Sequence, residues 1–220
     1  KRLDFTSCLS AGLSDADIVW VTFDTPVDEF DYADVDYVTS RVASIFPYLR
    51  DGTVIIISSQ LPVGSIKTIE QEFCRKKSSH RLDVYCFPEN VRLGQAIKTF
   101  REPARIVIGA RSKSVSPALQ TLLSSFGSEV IFVRTESAEM IKHALNTFLG
   151  MSIAYINEVA EICECVGADA SEIEHALRTD PRIGKNAYIH PGSALSGGTL
   201  SRDITYLCNI AKKEDLKTAV

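Results

Sequence analysis

Val54-Ile55-Ile56-Ile57-Ser58 is a run of four consecutive β-branched apolar residues, followed directly by the turn residues Ser59-Gln60-Leu61-Pro62. Successive side chains of a strand point to opposite faces, so a strand apolar at every position must be covered on both. That places it inside a parallel sheet with helices above and below. Outward from it the same signature recurs in Asp17–Phe23 (DIVWVTF), Leu82–Phe87 (LDVYCF), Arg105–Gly109 (RIVIG) and Val130–Val133 (VIFV). Between these runs, Asp34–Leu49, Ser65–Lys77 and Pro117–Phe126 carry apolar residues at helical spacing. The alternation predicts an α/β fold built on a doubly wound parallel sheet.

After Arg134 the strand signature stops. Glu139–Gly167 (EMIKHALNTFLGMSIAYINEVAEICECVG) repeats apolar residues at Met140, Ile141, Ala144, Leu145, Phe148, Leu149, Ile153, Ile156, Val159 and Ile162, close to a 3.6-residue period. A second helical pattern covers Ser171–Leu177, a loop runs from Thr179 to Ser201, and a last helix is expected to start near Arg202. We therefore expect two domains, residues 1–134 with the sheet and 135–220 all-helical. On the long helix Phe148, Met151, Tyr155 and Ile156 are candidates to face a second subunit, with burial inside one chain as the alternative.

Composition narrows the function classes. The chain has 220 residues, 45% of them hydrophobic, and a formal charge of -4, which suits a folded chain with a real core and offers no basic footprint for nucleic acid or a lipid surface. No apolar run reaches the roughly 20 residues of a membrane span. The six cysteines form no CxxC pair and no disulfide framework, so they read as reduced thiols of a cytoplasmic protein, and no metal site is expected.

Ligands of such sheets bind beyond the carboxyl ends of the strands. Those ends are followed here by Asp24-Thr25-Pro26, Ser59-Gln60-Leu61-Pro62 and Pro88-Glu89-Asn90, although the same residues also serve ordinary turns. On the long helix Lys142 and Asn146 are four apart and share a face, presenting a cation and an amide together, or else a plain solvated edge. None of the twelve glycines forms the GxGxxG turn that cradles a dinucleotide pyrophosphate. The opening KRLDFTSCLSAGLSDADIVWV feeds a helix-like segment straight into a strand, so a β-α-β unit carrying that turn is expected to precede Lys1.

Six segments in order, DIVWVTFDTPVD, SSQLPVGS, PENVRLGQAIKTFREPARIVIG, AEMIKHALNTFLGMSIAYINEVAEICECVGAD, DPRIG and PGSALSGGTLSRD, resemble the UDP-glucose/GDP-mannose dehydrogenase family over nearly the whole chain. The resemblance implies the later part of an NAD-binding Rossmann domain followed by the central helical dimerisation domain. It implies NAD as cofactor, a nucleotide sugar as substrate, oxidation of the sugar C6 alcohol, a homodimer, and a place in polysaccharide biosynthesis. By position it assigns catalysis to Lys142, Asn146, Glu89 and Asp203, and the cofactor to Thr25, Pro26, Ser59 and Glu89. Gly197, Gly198, Arg92 and Leu93 would contact the substrate.

The departures from the family are specific. The family loop GGSCFPKD bears a nucleophilic cysteine, whereas Gly197-Gly198-Thr199-Leu200-Ser201-Arg202-Asp203 has none. A hydroxyl of Thr199 or Ser201 without an adjacent base is a poor substitute at neutral pH. Three readings stay open: a nucleotide-sugar dehydrogenase with an altered second step, a two-electron alcohol dehydrogenase akin to the β-hydroxyacid dehydrogenases, and a silent member that binds NAD or a sugar nucleotide.

Overall fold

The computed structural model describes residues 3–29, 32–77, 81–89, 91, 94–112, 114–192 and 198–217. Its elements are α1 (Leu9–Leu13), β1 (Ile18–Val21), α2 (Val35–Ile45) with a 3-10 turn at Phe46–Tyr48, β2 (Val54–Ile57), α3 (Ser65–Lys76), β3 (Asp83–Cys86) and α4 (Ala96–Arg101). They continue with β4 (Ile106–Gly109), α5 (Pro117–Ser124), β5 (Val130–Val133), α6 (Thr135–Val166), α7 (Ala170–Thr179) and α8 (Gly198–Lys213). Two compact units result: 1–28 with 33–142, and 143–220 with 29–32.

In the first unit the five apolar runs form one sheet in the order β1-β2-β3-β4-β5. β1, β2 and β3 pair in parallel, as do β4 and β5. Both faces are covered, as the unbroken apolar pattern of β2 demands. Ile55 and Ile57 join Val84, Cys86 and Val107 beneath Val38 and Val42 of α2, Ile66, Ile69 and Phe73 of α3, and Ala138 of α6. Val54 and Ile56 join Tyr85, Ile106 and Ile108 against Leu119 and Leu123 of α5. All four β2 residues are at most 1% exposed.

The expectation of a uniformly parallel sheet fails at one seam. β3 and β4 meet through a single bridge of antiparallel type, Cys86↔Gly109, at the last residue of each strand. At this seam Gly109 has no room for a side chain, because a Cβ there would lie 2.6 Å from Ala138 Cβ, 2.9 Å from Cys86 Cβ and 3.0 Å from Thr135 Cα. The start of α6 presses onto the bare backbone of β4, and a strand glycine often marks such an approach.

The second unit holds the rest of α6 with α7 and α8. α6 begins one turn earlier than its apolar pattern suggested, at Thr135 rather than Glu139. Ile153, Ile156 and Cys163 are buried, whereas Phe148, Met151, Tyr155, Ile162 and Val166 are 43–71% exposed. Ile156, read as a candidate partner residue, is instead core at 0% exposure. α8 also starts early, at Gly198 rather than near Arg202. Leu200, Ile204, Leu207 and Ala211 continue its helical period back into the supposed loop. Between α7 and α8, residues 180–192 are hydrogen-bonded turns, with Gly184 N–H donating to Asp180 O at 2.8 Å and Gly192 N–H to Asn157 Oδ1 at 2.9 Å.

Replacing Gly109 with alanine forces a Cβ against backbone that cannot yield cheaply. Urea unfolding of G109A is expected to show a loss of about 1–3 kcal/mol, the range for overpacking a tight site. An unchanged midpoint would mean that α6 does not seat on β4 as described.

Candidate active site

The carboxyl ends of β1 and β2 are braced to each other. Thr25 Oγ1 donates to Gln60 O at 2.6 Å, Ser59 Oγ donates to Phe23 O at 2.6 Å, and Trp20 Nε1 donates to Ser58 Oγ at 2.8 Å. Thr25 is 5% exposed, while Pro26 beside it is exposed and its carbonyl accepts from Asp34 N–H at 2.8 Å. Thr25 and Ser59 each spend their hydroxyl proton on the facing turn and keep lone pairs to accept from a ligand.

Glu89 follows β3. Its Oε1 accepts from the N–H of Val91, and burial pushes its pKa up, against the smaller downward pull of the Lys142 ammonium, with Asp24 adding a further rise. A carboxyl whose pKa burial raises, beside a cation, is suited to accepting a proton. Arg92 and Leu93, assigned to the substrate by resemblance, lie outside the described residues, as does Gly197. Gly198 opens α8.

Lys142 is placed by a residue whose role the sequence did not disclose. Glu139, one turn before it, is 4% exposed, with Oε2 accepting from Gly64 N–H at 2.7 Å and Oε1 from Ile66 N–H at 2.9 Å. Gly64, at φ +94°, is the N-cap of α3, so the carboxylate of one helix caps another. Burial raises the Glu139 pKa, opposed by those two donors. A helix whose Ncap is glycine has no side chain of its own for the task; that was the one available signal.

In the second unit Asn146 and Asp203 come together. Asp203 is 0% exposed; its Oδ2 accepts from Asn146 Nδ2 and its Oδ1 lies 2.8 Å from His143 Nδ1. The His143 ring stacks on Tyr206 with centroids 4.1 Å apart. Sequence reasoning passed over His143, although its spacing of three from Asn146 puts both on one side of α6. Thr199 and Ser201, on the first turn of α8, are exposed.

The paired turns fit the neutral, hydroxyl-rich end of a dinucleotide, since Thr25 and Ser59 offer acceptors and Glu89 a carboxyl. They do not fit its pyrophosphate, because Asp24 and Glu89 are acidic. Among the described residues no group of three or more His, Cys, Asp or Glu is arranged around a metal position, and no helix is long and apolar enough to cross a membrane.

Residues 1–127 match the model described as UDP-glucose/GDP-mannose dehydrogenase family, NAD binding domain, and residues 136–220 match that family's central domain. UDP-glucose 6-dehydrogenase TuaD of Bacillus subtilis is 36% identical over 214 residues, 96% of this chain and 46% of the relative. The UDP-glucose 6-dehydrogenase of Rhizobium meliloti is 32% identical over 220 residues, 97% of this chain and 50% of the relative. The chain thus spans about half the length of the curated relatives it matches. Two solved structures share the fold. A UDP-glucose dehydrogenase from Pyrobaculum islandicum superposes with TM-score 0.85 at 24% identity, covering 98% of this chain and 50% of that one. A 3-hydroxyisobutyrate dehydrogenase of Mycobacterium tuberculosis superposes with TM-score 0.67 at 16% identity, covering 97% and 73%.

Replacing Glu139 with alanine leaves the N–H groups of Gly64 and Ile66 without their acceptor. Chemical denaturation of E139A is expected to show a loss of about 1–3 kcal/mol, the cost of orphaned buried donors. Wild-type stability in E139A would remove the cap from the account of α6.

Proposed function

The chain belongs to the UDP-glucose/GDP-mannose dehydrogenase family, and from that premise we propose that it forms the NAD-binding and central parts of a dehydrogenase acting on the C6 alcohol of a nucleotide sugar. The observation that carries the reading is the hydrogen bond between Asn146 and Asp203 inside the second unit. Two polar residues 57 apart in sequence, both matched to the family's catalytic set, are buried on one another. We take 1–134 as the nicotinamide domain and 135–220 as the central domain.

In this reading Thr25, Pro26, Ser59 and Glu89 would hold the nicotinamide end of NAD, which would supply the hydride acceptor for C6. Glu89 takes the hydroxyl proton, for which its raised pKa suits it. Lys142 stabilises the negative charge that grows on the C6 oxygen, an interaction strongest in the transition state. Asn146 fixes the orientation of that oxygen, and Asp203, fully buried, positions the Asn146 amide rather than touching the sugar. Gly197, Gly198, Arg92 and Leu93 are proposed to line the sugar nucleotide.

The chain carries no thiol in the first turn of α8; Cys208, the next cysteine along that helix, is half-buried five residues beyond Asp203. With no thiolate to capture the aldehyde, we propose a single two-electron oxidation. The full-length protein, given UDP-glucose and NAD, is expected to form about one NADH per sugar consumed, since a hydroxyl cannot replace the thiolate. A ratio near two would restore the four-electron reaction. Absence of both NADH formation and calorimetric NAD binding would sink the dehydrogenase reading. The acid limb of kcat/KM against pH should lie above the ordinary glutamate value of about 4.3, because below it Glu89 is protonated and cannot accept. Glu89→Gln should abolish that limb and slow turnover by about a hundredfold to ten-thousandfold.

We further propose a homodimer through α6. Phe148, Met151, Tyr155, Ile162 and Val166 follow at steps of three, four, seven and four, which gathers them into one exposed apolar stripe. Light scattering of Tyr155→Glu should report half the wild-type mass, whereas equal masses would clear the stripe of that role. The free thiols, with Cys8, Cys74 and Cys165 exposed, suit the reducing cytoplasm, where we place the protein.

A further inference from the structure

We infer that His143 is a positioning residue that fixes the direction of the Asn146 side chain through the Asp203 carboxylate. What Asn146 then does to substrate rests on the dehydrogenase reading above; the pairing itself does not.

The argument starts from donors and acceptors. An ionised carboxylate only accepts, so each group within hydrogen-bond reach of it must offer a proton. Asp203 Oδ2 faces the Asn146 side chain, which fixes Nδ2 toward the aspartate and turns the Asn146 carbonyl oxygen away as an acceptor. Oδ1 faces His143 Nδ1 at 2.8 Å, so with Asp203 ionised the proton sits on Nδ1. His143 and Asp203 are 4% and 0% exposed, so solvent cannot replace either partner without opening the core. The imidazole is itself held by its stack on Tyr206 at 4.1 Å. A carboxylate gripped at one oxygen only can turn about its own bond. Gripped at both, it presents Oδ2 in one direction and holds the amide opposite it in one orientation. Misplacing a catalytic group by about 1 Å can cost about a hundredfold in rate.

Two substitutions separate this role from packing. His143→Phe keeps an aromatic ring against Tyr206 and removes the donor; His143→Asn removes the ring and keeps an N–H near the Nδ1 position. In NADH formation by the full-length protein, H143F is expected to lose about ten- to a hundredfold in kcat with KM changed by less than about twofold, and H143N to recover most of the loss. Equal loss in both variants, or a better enzyme in H143F, would overturn the inference in favour of packing. A second readout needs no turnover. In the full-length protein with 15N-labelled histidine, the signal that disappears in H143N should be protonated at Nδ1, and a signal protonated at Nε2 alone would overturn the pairing. Wild-type protein that forms no NADH but keeps the Nδ1 proton would count against the dehydrogenase reading and leave the pairing standing.

Discussion

The first unit depends on a carboxylate buried at the start of α6. Glu139 accepts from the N–H groups of Gly64 and Ile66, 75 and 73 residues away, and so joins the start of α6 to the start of α3 beside the turn that leaves β2. Burial disfavours the charge, and the two donors together with the positive end of α3 act against that penalty. The consequence is geometric. Glu139 anchors this end of the helix, Lys142 lies one turn further along it, and its charge acts on Glu89. Gly109 sets the other contact of the same helix end, since only a residue without Cβ leaves room for Ala138 and Thr135.

A second buried carboxylate does comparable work in the other unit. Asp203 joins α6 to α8 through His143 and Asn146, so each end of the chemistry on α6 is held by an acid that is itself held. Both cases follow one rule: a carboxylate removed from water must find donors, and the donors then become fixed. In the proposed reaction the thiol would serve a later step than the one assigned to Glu89, Lys142 and Asn146.

Much of this was legible beforehand. The unbroken apolar run Val54–Ile57 required cover on both faces, and Ile55 and Ile57 do face one core while Val54 and Ile56 face the other. The 3.6-residue period of Glu139–Gly167 identified α6 to within a turn, since that pattern is the burial of one face. The reading of Lys142 and Asn146 as sharing a face rested on the return of a helix after four residues. Where the reading erred, a local signal misled it. Gly198 looked like loop, yet Leu200, Ile204 and Leu207 continue the helical period from Gly198 onward. Ile156 looked available to a partner, but apolar residues inside and outside a helix are alike in sequence.

The sequence by itself determined the alternation of strands and helices, the two-part organisation and the family, because these rest on periodicity and on ordered short motifs that each residue expresses locally. Only the tertiary structure decided what Glu139, His143 and Gly109 are for. Their partners lie 73, 60 and 23 or more residues away, and a hydrogen bond or a missing Cβ acquires meaning only when the chain has folded to bring the other atom to it.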